Sequence, residues 1–398
     1  MKTTPRQIAA FAFALGTLTF ASCSDDDNNA TSGQTDCEFV VSATDLQGTI
    51  ACGEVTLSAN TVYKLTGKLQ VNDGATLIIP AGTRIEAVGG TASYIAVAQG
   101  GKIYVNGTAS NPVVMTSGLA VKAPGDWGGL VLCGKAPINR ISGGESTAQS
   151  EVADLTYGGT VANDNSGVLR YLRVEYAGAA FNSEKEFNAV SFFGVGNGTV
   201  VEYVQAYHGS DDGFEWFGGT VNSKGLVAIG NEDDQFDWTE GWSGVNSDWY
   251  GKVEFGKGNR GIEADNFEFG FANTPIAQPV INGLTLIGPG STADGTIFSE
   301  NDALKLRRGT FGNISNIVLA NWKTGFNIEH DETLNAIGSG LTLNNVRFAN
   351  DVPATAKGKA TDGSTVDVAN SYTESTTATG AGNGTDQPTW SQGWSIGL

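Results

Sequence analysis

A five-residue pattern of polar residue, spacer, apolar residue, spacer, apolar residue recurs through the middle of this chain. It reads Asn188-Ala189-Val190-Ser191-Phe192, Asp212-Gly213-Phe214-Glu215-Trp216, Asp234-Gln235-Phe236-Asp237-Trp238, Asp265-Asn266-Phe267-Glu268-Phe269 and Asp302-Ala303-Leu304-Lys305-Leu306. Successive copies are offset by 24, 22, 31 and 37 residues, and Gly325-Phe326-Asn327-Ile328 follows 22 residues later. A unit this short cannot bury an apolar face alone, so copies must stack, each coil of about three short strands lying ~4.8 Å above the last.

The rest of the chain agrees with strands. From Val62 to Phe348, apolar alternations such as Leu69-x-Val71, Leu77-x-Ile79, Ile95-x-Val97, Leu172-x-Val174 and Ile317-x-Leu319 are separated by Gly, Asn and Asp, without a sustained 3.6-residue period. The expected fold is all-β, a parallel β-helix of roughly ten coils with an N-terminal cap and loop insertions. The rod is expected over residues 37–350, with residues 351–398 as an extension packing on it. A propeller or sandwich would call for antiparallel hairpins at shorter and more even spacing.

In this register the third and fifth positions of each copy face inward. They form two core columns, Val190/Phe214/Phe236/Phe267/Leu304/Phe326 and Phe192/Trp216/Trp238/Phe269/Leu306/Ile328. Charge collects on two further columns. Asp212, Asp234, Asp265 and Asp302 stand at the strand entrance, and Glu215, Asp237 and Glu268 project outward. Like charges one coil apart repel by roughly 1–4 kcal/mol per pair, so something must compensate them. Three compensations fit: Asp side chains capping turn N–H groups with the outward acids hydrated, a Ca²⁺ ion held by carboxylates and turn carbonyls, or a catalytic carboxylate pair. The residues for the metal reading are Asp212, Asp234, Asp265, Glu215, Asp237 and Glu268.

The net charge of −19, from 23 Lys and Arg against 42 Asp and Glu, excludes a nucleic-acid partner, because phosphates would be repelled. The two imidazoles, His208 and His330, have no Cys or His at zinc spacing. No phosphate loop, dinucleotide fingerprint or nucleophile elbow occurs. Trp242, Trp249 and Tyr250 fall between two copies, on what the spacing makes a loop, and are the candidate ligand-binding aromatics.

The N-terminus reads as an address. Lys2 and Arg6 precede an apolar run from Ile8 to Phe20, then Ala21-Ser22-Cys23, so residues 1–22 are expected to be a lipoprotein signal peptide and Cys23 the lipidation site. Residues 23–36 are expected to form a lipidated acidic tether, in which Ser24-Asp25-Asp26-Asp27 resembles a serine-plus-acidic signal for export to the outer membrane surface. Cys37 and Cys52 are expected to pair across the N-terminal cap, in a compartment where disulfides persist.

Val71-Asn72-Asp73-Gly74-Ala75-Thr76-Leu77-Ile78-Ile79-Pro80-Ala81-Gly82-Thr83, Gly125-Asp126-Trp127-Gly128-Gly129, the Asp-Asp-Gly-Phe-Glu-Trp segment and Trp390-Ser391-Gln392-Gly393-Trp394 carry a resemblance over nearly the whole chain. It resembles the uncharacterised β-helical surface lipoproteins of Bacteroidetes, often labelled multidrug transporters without basis. The resemblance implies a right-handed parallel β-helix on the cell surface and supplies no catalytic residues to carry over. The function expected is a lipid-anchored binding protein that captures a glycan or other small ligand, beside an outer-membrane uptake receptor. A Ca²⁺-dependent polysaccharide lyase or glycoside hydrolase, and a structural surface component, are the alternatives.

Overall fold

The computed structural model describes residues 37–59, 61–143, 146–183, 185–254 and 256–398. Cys23 and the acids Asp25, Asp26 and Asp27 lie outside them. The strands form a continuous, almost entirely parallel sheet wound into a β-helix. The strands Gly167–Glu175, Val200–Tyr207, Ser223–Ile229, Val245–Lys252, Val280–Ile287, Gly312–Ala320 and Leu341–Asn350 each serve two faces. They bend at one left-handed residue per coil: Tyr171, Tyr203, Gly225, Asp248, Gly283, Asn316 and Asn345. Most are not glycine, and each pays a steric cost of order 1 kcal/mol that the stacking above and below must offset.

The third face carries the repeat. Its strands are Leu130–Cys133, Val190–Phe193, Phe214–Phe217, Phe236–Thr239, Ile262–Ala264, Asp302–Leu306, Thr324–Glu329 and Ala354–Lys359, paired in parallel in that order. The inward columns run Leu130, Val190, Phe214, Phe236, Ile262, Leu304, Phe326 and Leu132, Phe192, Trp216, Trp238, Ala264, Leu306, Ile328, all fully buried. Their rings stack coil on coil, Phe214 on Phe236 at 5.7 Å and Phe192 on Trp216 at 5.6 Å.

One coil departs from the expected register. Ile262-Glu263-Ala264, not Asp265-Asn266-Phe267-Glu268-Phe269, is the strand that follows Phe236–Thr239. Phe267 and Phe269 therefore leave the core columns, and Phe269 is 81% exposed in a loop. The five-residue motif matched better at Asp265, but the strand at Ile262 keeps the coil near its basic length and leaves no gap in the apolar stack.

Residues 134–143 and 146–166, with the antiparallel pair Thr147–Gln149 and Thr156–Gly158, fold over the outside of the repeat face at its N-terminal end. There the outward residues Val131, Cys133, Phe193 and Phe217 are apolar, and Ile138, Val152 and Tyr157 seal them. The Cys133 thiol is free and burial pushes its pKa up to about 12, so it serves as a small apolar side chain. Cys37 and Cys52 form a disulfide at the N-terminal end, where Phe39 and Val41 close the core.

Trp242 and Trp249 are not on a ligand loop. Both are fully buried. Trp249 lies in a strand, in the inward column between Leu226 and Leu284, and stacks on Phe236 at 4.6 Å and Trp216 at 5.0 Å. Trp242 stacks on Trp216 at 4.6 Å and donates Nε1–H to the Val221 carbonyl at 3.2 Å. Tyr250 does face outward, but residues 379–398 cover it and its hydroxyl donates to the Thr385 carbonyl at 3.2 Å. The wide spacing after Trp238 holds another coil rather than a loop.

Candidate metal and ligand site

Where the segment that carries Ile138, Val152 and Tyr157 stops covering the repeat face, its outward column changes from apolar to charged. The register gives Val131, Ser191, Glu215, Asp237, Glu263, Lys305, Asn327 and Lys357 in successive coils. Three residues earlier in each coil is an entrance column of Asn188, Asp212, Asp234, Arg260, Asp302 and Thr324. The acids occupy the middle coils, and cations enter at Arg260 in the entrance column and at Lys305 and Lys357 in the outward one.

The cations account for one part of the acidic residues. Arg260 Nη1 lies 3.1 Å from Asp234 and 2.9 Å from Glu263, and its Nη2 lies 2.7 Å from Glu300. Arg307 reaches Glu263 at 2.9 Å and Asp265 at 2.7 Å, and Arg308 reaches Asp265 at 2.6 Å. Asp302 is held by Lys357 at 2.8 Å and by Asn327 at 2.8 Å. Burial pushes Glu300 up, but Lys305 and Arg260 outweigh it and hold the carboxyl at about 2.

A second part has no such partner. Carboxylate oxygens of Asp212, Glu215 and Asp237 lie within 4.8 Å of one another, as do those of Asp211, Asp212 and Asp233. Among the described residues, no Lys or Arg makes an ion pair with Asp211, Asp212, Asp233, Glu215 or Asp237. Glu215 accepts one hydrogen bond, from Asn188 Nδ2 at 2.6 Å, and Asp212 accepts one from the Asp234 amide at 2.9 Å. Burial first, then the neighbouring negative charges, holds Asp211, Asp212, Glu215 and Asp237 well above the usual carboxylate range. Asn188 is buried, and its Oδ1 has no donor.

Of the six metal candidates, the structure gathers Asp212, Glu215 and Asp237. Asp234 lies in a neighbouring group with Asp237 and Glu263, where Arg260 neutralises it. Asp265 and Glu268 drop out. The register change carries them past the strand, where Asp265 is locked by two arginines and Glu268 is half exposed, 3.8 Å from Arg308. His208, close in sequence to Asp211, turns away to Glu254 at 2.9 Å.

Arg260 and Glu263 take the places assigned to Asp265 and Glu268, and coil length was the available signal: Arg260 follows Asp234 by 26 residues, Asp265 by 31. Glu151 was not legible at all. It comes from the covering insertion, and burial followed by the charge of Glu240 raises it to about 7. Glu151, Lys185 and Glu186 wall a cleft of about 380 Å³ whose floor is Asp211, Asp212 and Glu215.

A buried group of carboxylates without a protein cation must hold protons or a metal ion. The donors present are all oxygen, from three carboxylates with the orphaned Asn188 amide oxygen beside them. That set suits Ca²⁺, which takes six to eight oxygens, and lacks the thiolate or imidazole that zinc prefers. A family model described as a pectate-lyase like beta helix domain matches residues 48–395. No curated protein and no solved structure matches the chain.

Proposed function

As this chain belongs to the pectate-lyase-like β-helix family, we propose that it is a Ca²⁺-dependent ligand-binding protein whose ion sits at Asp212, Glu215 and Asp237. The ligand is a glycan lying in the cleft between Glu151 and the acidic column, its oxygens completing the calcium shell. The observation that carries this reading is a contrast on one face. Among the described residues, Lys or Arg side chains make ion pairs with Asp234, Glu263, Asp265 and Asp302, and with none of Asp212, Glu215 and Asp237. The ion would hold glycan hydroxyl or carboxylate oxygens against the rod, and Lys185 would meet a ligand carboxylate from the wall.

The test is a screen of neutral and acidic polysaccharides with Ca²⁺ and with EDTA. Binding is expected only with Ca²⁺, and Asp237→Asn should weaken it at least ~30-fold, the loss of one charged calcium ligand. The same variant should stabilise the EDTA-treated protein, since one of several repelling carboxylates is gone. Binding that ignores EDTA would overturn the calcium reading. Unsaturated products or new reducing ends would establish the second reading, a lyase or hydrolase, which Glu151 favours because a carboxyl raised to about 7 is suited to proton transfer.

A pH dependence follows from the raised carboxyls. In the folded state they hold protons more tightly than in the unfolded chain, so stability falls as pH rises above ordinary carboxylate values. In EDTA the melting temperature should therefore decline from about pH 5 to pH 8, and Ca²⁺ should flatten that slope because the ion replaces the protons. A melting temperature that rises with pH in EDTA would contradict the assignment.

Anchoring at Cys23 would place the rod on the outer-membrane surface, beside an uptake receptor. Loss of palmitate labelling in Cys23→Ala tests the anchor, and labelling that persists would remove it.

A further inference from the structure

One outward column of the rod is buried although it faces away from the core. Arg173, Gln205, Val227, Tyr250, Thr285, Val318 and Arg347 stand in register in seven successive coils. Gln205, Val227, Thr285 and Val318 have no exposed surface, and Tyr250 almost none. Their cover is the C-terminal segment. It leaves the last coils at Ser375, whose amide donates to the Val346 carbonyl, and runs back toward the N-terminal end.

Its contacts step down the rod in reverse chain order. The Thr379 amide donates to Asn316 Oδ1 at 2.8 Å. Thr285 Oγ1 accepts from the Ala381 amide at 3.0 Å and donates to the Gly384 carbonyl at 2.9 Å. Tyr250 follows at Thr385. Trp390 lies over Gly225, where a Cβ would come 3.3 Å from the indole and crowd it. Gln205 reads the Ile396 backbone on both sides, at 2.7 and 2.9 Å, and Arg173 donates to the Trp394 carbonyl at 3.1 Å. Trp394 is fully buried, edge-on to Tyr171 and Tyr203.

In a solenoid each coil touches only its neighbours, so an end coil can fray without cost to coils farther away. We infer that residues 379–398 are a longitudinal clamp that ties the C-terminal coils to the coil of Gly167–Glu175 and makes the intervening coils open together. The coils crossed by the clamp include those that carry Glu215, Asp237 and Glu263 on another face, where like charges push neighbouring coils apart.

Native-state hydrogen exchange on a chain lacking residues 389–398 tests this. Those residues make no hydrogen bond or ring contact with Thr324–Glu329, Leu341–Asn350 or Ala354–Lys359 among the described residues. A clamp nevertheless predicts that protection in these three strands falls at least ~tenfold, while Val62–Val71 and Ala75–Pro80 are unchanged. Trp394→Ala and Gln205→Ala, each removing one anchor, should move the same three strands in the same direction and serve if the truncated chain does not fold. If exchange rises only in the strands the tail covers, Gly167–Glu175 to Gly312–Ala320, the tail is a local cover and the clamp is wrong.

Discussion

Replacing Arg260 by Ala is expected to lower stability by about 3–5 kcal/mol, the cost of removing one partner from a buried ion pair. Arg260 touches three carboxylates, but two keep another cation. Glu263 retains Arg307 and Glu300 retains Lys305. Asp234, 1% exposed, is left without a counter-charge, and only the backbone amide of residue 260 still donates to it. Adding Asp234→Asn in the same chain should therefore recover most of the loss. With Arg260 gone, Asp234, Asp237 and Glu263 become a second group of carboxylates without full compensation, so Ca²⁺ should stabilise the Arg260→Ala protein more than the parent. Chemical denaturation of the three proteins, with Ca²⁺ and with EDTA, measures all of this. A loss under about 1 kcal/mol for Arg260→Ala would mean that solvent reaches Asp234 and that the column is not buried as described.

Trp249→Ala should cost about 3–5 kcal/mol, as deletion of a large buried aromatic does. The indole fills the space between Phe236 and Trp216, and its Nε1–H is satisfied by Ser223 Oγ at 2.9 Å. Truncation leaves a cavity between rigid stacked rings, in coils that cannot collapse without breaking their strand pairing. Trp249→Phe keeps much of the volume and should cost less than half as much. Glycan affinity per folded molecule should be unchanged in both, measured well below the melting temperature. Affinity lost without a loss of stability would return Trp249 to the ligand site that its place in the sequence suggested.

Both variants fall where the sequence and the fold part company. The repeat, the inward aromatic columns at Phe214, Phe236, Trp216 and Trp238, and the acids between them were legible because each depends on residues two apart in one strand and about one coil apart in the chain. Those two periods are local rules, and they fix a parallel β-helix whose outer face carries carboxylates. The fifth coil was not legible. Two consecutive segments, Arg260 to Ala264 and Asp265 to Phe269, both obey the strand rule, and stacking against the Asp234 coil selects the one that places a guanidinium on a buried carboxylate. The identity of the compensated acids therefore depended on a register that only neighbouring coils set.

The covering pieces were equally invisible. Glu151 reaches the acidic column, and residues 379–398 bury Tyr250, through contacts between segments from about 60 to more than 220 residues apart in sequence. Strand periodicity says which side of a strand faces out, but not whether solvent or another part of the chain lies against it. That was decided by complementarity of surfaces far apart in sequence: the apolar patch at Val131 and Phe193 for one segment, and the buried column from Arg173 to Val318 for the other.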